Sequence, residues 1–264
     1  MARPSYSALA LLILFMVSIP VVCRAADTDG GKSIQILAGE LAAKYAGRTP
    51  ALWGETLPGI VTRLPLSSDG MRTVALTLDA CGGRTDVRII ALLREQRIPA
   101  TFFVTNRWLF RNRDIAVDLA SDPLFALACH GARHKPASVN GRAVYGIPGT
   151  GDVAALVREV EGNAREVAAL TGKRPRWYRS GTAFYDEVAL AVIADLGLTA
   201  AGYTVAADSG ATLPGHEVAK RLLSAPDGAI VLCHVNHPES GTYDGLAKAV
   251  PEMLNKGIRF IKLE

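Results

Sequence analysis

The sequence predicts an α/β fold built on about seven parallel strands with helices outside. Two observations lead there. The chain has 264 residues, 49% hydrophobic and 20% charged, which is the composition of a globular protein with one large or two small domains. From Thr73 onward, short apolar strand-like runs alternate with helical stretches, the pattern of a parallel sheet whose crossovers are helices.

The first residues stand apart. "MARPSYSALALLILFMVSIPVVCRAAD" has a basic start at Arg3, an apolar run from Ala8 to about Val22, then small residues. This is the layout of a secretory signal peptide over residues 1–25, with cleavage expected after Ala25. The apolar run is short and interrupted by Pro20, so no stable membrane span is expected after cleavage. Removing residues 1–25 takes away Arg3 and Arg24 and leaves 27 basic against 25 acidic residues, which gives no basis for nucleic-acid binding. The expected location is periplasmic or secreted. Cys81, Cys129 and Cys233 remain, too few for a disulfide-framed scaffold, so a hydrophobic core must hold the fold.

Residues 26–70 contain a helical stretch around Ile34 to Tyr45 and a Pro/Gly-rich lead-in, read as an N-terminal extension packed on a domain of residues 71–264. The expected strands are "TVALTLDA", "ATFFVT", "LFALACHG", "RWYRSG", "TAAGYTV", "AIVLCHV" and "IRFIKL". The clearest helix runs from Asp152 to Thr171, where Val153, Leu156, Val157, Val160, Ala164, Val167 and Ala168 recur at helical spacing. Thr150 or Asp152 suits its start and Gly172 its end. The Gly-rich "NGRAVYGIPGTGD" (Asn140 to Asp152) lacks the Lys-Ser/Thr ending of a phosphate loop and reads as a long loop beside a site. From the pattern alone, the strands suit either a barrel-like closure or an open doubly wound sheet.

Alternate residues of a strand face opposite sides. Asp79 therefore shares the inner face with Ala75 and Thr77, while Val74, Leu76 and Leu78 face the helices. By the same count His130 and His234 are delivered at strand ends, where sites form in parallel α/β folds. "HGARHKP" places His134 four residues after His130, past a glycine that lets the chain turn; two imidazoles so spaced beside an inward carboxylate suit a metal ion. Cys129 and Cys233 fall on the helix-facing side and read as inert buried thiols. Trp108, Tyr145 and Tyr185 are candidates for stacking on sugar rings or for packing.

These residues resemble the polysaccharide deacetylases, carbohydrate esterase family four, in order through Thr73 to Glu264. "TLDAC" resembles the family's Thr-Phe-Asp-Asp motif, "HGARH" its His-x-x-x-His metal motif, and "YRSGTAFY" the motif whose arginine maps to Arg179. "GYTVAADSG" resembles the fourth motif, and "IVLCHVNHP" the Leu-His motif, which maps to His234. The resemblance implies a distorted (β/α) barrel of about seven parallel strands. It also implies a divalent metal, expected to be zinc, and hydrolysis of an acetylated glycan. His130 and His134 would hold the metal, and Asp79 and His234 would act as base and acid. Arg179 would keep Asp79 ionised, and Asp208 would orient His234.

Three positions depart from the family pattern: Ala80, where the family carries its metal-binding acid; Ser180-Gly181-Thr182, where prolines and a tyrosine are common; and Asp208, one position off the fourth motif's usual acid spacing. Asp79, as shared base and ligand, is the expected third donor, with Cys81 and Asp86 as alternatives; Asp86 already suits the cap of a helix starting near Val87. Two other readings stay open. One is a glycan-binding or assembly protein on a catalytically decayed fold. The other is a hydrolase of a small linear or cyclic amide.

Overall fold

The computed structural model describes Met1 and residues 32–264, so the expected signal peptide lies outside the described residues. Among those residues no helix is long and apolar enough to cross a membrane. Helix α1 (Ile34–Lys44) leads into two short strands, β1 (Trp53–Gly54) and β2 (Ile60–Val61). Then come β3 (Thr73–Ala80), α2 (Val87–Glu95), β4 (Ala100–Val104), α3 (Asn106–Arg111), α4 (Arg113–Ser121) and β5 (Phe125–Cys129). After the glycine-rich loop follow α5 (Val153–Thr171), β6 (Trp177–Tyr178), β7 (Tyr185–Asp186) and α6 (Glu187–Asp195). The last elements are β8 (Thr199–Ala201), β9 (Val205–Ala206), α7 (Gly215–Leu223), β10 (Ala229–His234), α8 (Thr242–Asn255) and β11 (Arg259–Ile261).

The main sheet runs β2-β8-β6-β5-β4-β3-β10-β9, with β11 pairing the opening residues of β3. Its strand pairs are parallel. The run "TAAGYTV", expected as one strand, is two. Its first half, β8, pairs with β6, and its second half, β9, pairs with β10. This change of partner within one stretch of chain bends the sheet into the distorted barrel. The gap at the bend is filled by β2, which lies so close to Gly202 that a Cβ there would meet Ile60 and Thr62 side-chain carbons at 2.8 Å. Just beyond, Arg63 bridges Ala229, and Leu64 N donates to Gly228 O at 2.8 Å.

Strand parity sorts the core. Val74, Leu76, Leu78 and Ala80 pack with α2 and α8 residues such as Ile89, Leu93, Val250 and Met253 in the outer layer. Ala75, Phe103, Ala128, Ala201 and Ile230 form a small inner cluster. Cys129 and Cys233 are fully buried on the helix side, and burial pushes both thiols well above their ordinary pKa.

Helix α5 starts where expected, with the Asp152 carboxylate accepting from Ala155 N at 2.6 Å, and it ends at Gly172 in the left-handed conformation (φ 72°). Its apolar stripe is interrupted by three buried polar residues, Glu159, Glu161 and Asn163. Glu161 is paired by Arg174 at 2.7 Å and Arg165 at 2.9 Å. Burial acts to raise its pKa; the hydrogen bonds from Arg174 and then Arg165 more than offset this, so the carboxyl titrates below the glutamate value of 4.5. A depressed folded-state pKa adds stability above the unfolded value, which is lost as pH falls through the folded one. Glu161→Gln is expected to lower unfolding free energy by about 2 kcal/mol at neutral pH. Urea titrations should show that deficit shrinking as pH drops below 4.5.

Candidate active site

The inner face of β3 ends in Asp79, 3% exposed and opposite His234 in the sheet register. Its Oδ1 accepts from Arg179 Nη1 at 2.6 Å. Arg179 follows the two-residue strand β6, its backbone N still bonded to Cys129 O at 2.8 Å, so the ladder aims its side chain into the barrel. There it is fully buried, donating also to Thr77 Oγ1 (3.0 Å) and Gly202 O (2.9 Å), with its guanidinium 4.2 Å from the Phe103 ring centroid. A guanidinium inside the barrel accounts for the small inner residues Ala75, Ala128 and Ala201. Burial would raise the Asp79 pKa, but the charges of Arg179, His130 and His234 hold it below the usual carboxylate value.

His130 stands just past β5. Its Nδ1 lies 2.9 Å from Arg179 O, which can only accept, so in the neutral ring the proton sits on Nδ1 and the Nε2 lone pair faces the site. Cys81 Sγ is 3.4 Å from Nε2 and Asp79 Oδ2 is 3.5 Å from it. The His134 ring centroid is 4.8 Å from that of His130. Ligand atoms of Cys81, His130 and His134 lie within 4.8 Å of one another, a group suited to one metal ion. Burial acts to raise the Cys81 thiol pKa; the charge and hydrogen bond of His130, then His134 and His234, bring it well below the ordinary value.

His234 closes β10. Its Nδ1 is 2.9 Å from Asp208 Oδ1, its backbone N donates to Oδ2 at 2.6 Å, and Thr242 Oγ1 donates to Oδ2 at 2.9 Å. Burial would lower its pKa, but Asp208 and then Cys81 raise it well above the ordinary imidazole value. Asp79, His134 and His234 open onto a cavity of about 420 Å³ that Glu55, Tyr145 and Tyr203 also line. Glu55 Oε1 accepts from the Tyr203 hydroxyl at 2.6 Å. Tyr145, 75% exposed, packs edge-on against Phe184, which in turn meets Trp53 at 5.5 Å.

The fold thus gathers Asp79, His130, His134, Arg179, Asp208 and His234 in one place. The donor grouped with the two imidazoles is Cys81, whereas Asp79 is engaged by Arg179. The strand ends at Ala80, and the chain turns Cys81 toward His130. Asp86 is elsewhere, capping α2 and paired with Arg88 at 2.7 Å. Ala80 is in the outer core. Of the three aromatic candidates, Trp108 and Tyr185 are fully buried and hydrogen-bonded internally, leaving Tyr145 at the cavity. Glu55 lies in no quoted motif, and Tyr203 falls within "GYTVAADSG" without being one of its expected site residues.

The sequence model described as polysaccharide deacetylase matches residues 67–201. An uncharacterized protein of Streptomyces coelicolor is 31% identical over 142 residues, 52% of this chain and 52% of its own, so the chain spans about half the length of that curated relative. A family 4 carbohydrate esterase pseudoenzyme from Bacillus anthracis is similar at TM-score 0.65 and 20% identity, covering 79% of this chain and 68% of its own. PdaA of Bacillus subtilis, a family 4 carbohydrate esterase, is similar at TM-score 0.62 and 20% identity, covering 89% and 88%. A peptidoglycan N-acetylglucosamine deacetylase is similar at TM-score 0.64 and 18% identity, covering 76% and 89%. At these identities the likeness to the solved structures is one of fold.

Proposed function

The chain belongs to the polysaccharide deacetylase family, and on that premise we propose that it is an exported, metal-dependent hydrolase removing acetyl groups from a cell-envelope or extracellular glycan. The observation that carries the reading is the convergence, at one cavity, of the Cys81, His130 and His134 group with the Asp79–Arg179 and His234–Asp208 pairs. The leader-like start of the sequence supports export, and the peptidoglycan substrate of a structural relative supports an envelope glycan.

The donor set fits a borderline-soft divalent ion such as zinc: two imidazoles and a thiol whose surroundings favour the thiolate. Bound there, such an ion supplies Lewis-acid polarisation of the acetyl carbonyl and lowers the pKa of water. Asp79, kept ionised by Arg179, takes the proton from the attacking water. His234 hands a proton to the departing amine or alkoxide; its Nδ1 is committed to Asp208, so Nε2 is the atom that delivers it. Buried Arg179 holds Asp79 through one oxygen, which leaves Oδ2 on the His130 side.

Ala80 and the structural likeness to a pseudoenzyme favour a second reading, a glycan-binding protein on a decayed deacetylase fold. Purified protein should carry about one metal ion per chain and release acetate from at least one member of a panel of acetylated glycans. Chelation should stop release and metal should restore it. Stoichiometric metal without acetate release from any glycan overturns the enzyme reading in favour of binding.

A further inference from the structure

Glu159 and Asn163 stand one turn apart on α5, in the stripe that faces the barrel, and are 4% and 0% exposed. Neither position is explained by packing. Asn163 Oδ1 accepts from the backbone N–H groups of His130 (2.8 Å) and Gly131 (3.0 Å). Its Nδ2 donates to Asn106 Oδ1 at 2.7 Å, which ties down the amide. Glu159 Oε1 accepts from Arg133 N (2.9 Å) and Lys135 N (3.1 Å), the residues on either side of His134, and its carbonyl accepts from Ala132 N at 2.9 Å. One helix therefore takes the N–H groups of residues 130, 131, 132, 133 and 135.

That loop is neither helix nor strand, and its backbone is unfavourable at His134, which sits at φ 62°, whereas Gly131 takes φ 82° without penalty. A Cβ at Gly131 would lie 2.4 Å from Glu159 Oε1, so the glycine is what lets the carboxylate approach. A buried carboxylate accepting two amides makes strong, charge-assisted bonds. With the bonds of Asn106 N to Gly131 O and Gly181 N to Lys135 O, they hold the turn between the two imidazoles.

We propose that Glu159 and Asn163 are positioning residues for the metal centre: by gripping the backbone on both sides of His134 and at His130, they set the separation of the two rings. The inference rests on reading His130 and His134 as ligands. It implies that metal affinity depends on two side chains that touch neither metal nor substrate, as outer-shell partners do elsewhere.

The test is metal affinity by chelator competition on the full protein, alongside the visible spectrum of the cobalt(II) form. Glu159→Ala and Asn163→Ala should each weaken affinity about 10–100-fold and alter the cobalt spectrum. Glu159→Gln should recover most of the loss, because both amides bond to a single oxygen that glutamine retains. Glu159→Asp, which withdraws that oxygen by one methylene, should behave like the alanine variant, and it replaces that variant if the latter does not fold. Variants that lose thermal stability but keep wild-type affinity and spectrum overturn the proposal and leave the deacetylase reading standing. A wild-type protein that binds no metal overturns both.

Discussion

Asp79→Asn is expected to lower acetate release by two decades or more while the protein still carries its metal. Asparagine keeps the shape and can still meet Arg179, but it cannot take a proton from water, and loss of a general base costs 10²–10⁴-fold. The substitution also leaves a fully buried guanidinium without the one carboxylate that pairs with it among the described residues, so the unfolding midpoint should fall. Asp86→Asn is the control: that carboxylate caps α2 and pairs with a half-exposed arginine, so stability drops by about 1 kcal/mol with the rate unchanged. Metal analysis and initial rates on both variants decide the matter. Loss of the ion from Asp79→Asn would place Asp79 among the ligands, the role the sequence alone favours for it.

Cys81→Ala is expected to weaken metal binding by more than about 100-fold, beyond the usual effect of outer-shell changes, because it removes one of three donors. Cys81→Ser should retain more binding than alanine but lose the sulfur-to-metal charge-transfer absorption of the cobalt(II) form. Asp79→Asn should keep that band. If the wild-type cobalt protein shows no such absorption, the thiolate is not a ligand and the third donor must be sought at Asp79. A thiolate ligand at Cys81 would account for Ala80, with the next residue standing in for the family's acid at that position.

Much of the site was legible because strand parity is a strict rule. It put Asp79 on the inner face of β3, Cys129 and Cys233 on the outer face, and His130 and His234 at strand ends, and the structure has them there. Caps were equally readable, as Asp152, Gly172 and Asp86 show. Where regular structure stops, parity stops too. Cys81 lies one residue beyond β3, on the face it shares with Asp79 if alternation is carried one step further, but only the turn there sets its sulfur 3.4 Å from His130 Nε2. Glu159 and Asn163 sit on a helix face chosen by apolar spacing, and the spacing carries no sign of the loop that needs their oxygens. Tyr185 and Trp108 have the composition of sugar platforms, yet each hydroxyl or indole N–H is spent on an internal partner. The run "TAAGYTV" looks continuous because partner exchange leaves no mark on hydropathy.

The pairing of β3 bears on how the chain reaches its native state. Along Val74–Asp79 this strand bonds to β10, and its opening residues bond to β11, so both neighbours come from after residue 228. Only β4 is close in sequence. The middle of the sheet therefore waits, with an open edge, until residues 229–261 have been made. Such long-range pairing makes folding slow and exposes strand edges meanwhile. For a chain proposed to leave the cytoplasm through a membrane, delay is an advantage, since an unfinished barrel can still be threaded. Asp79 and His234 are register partners across the β3–β10 pair. Pairing β10 with β3 is thus what brings the proposed base and the proposed acid together.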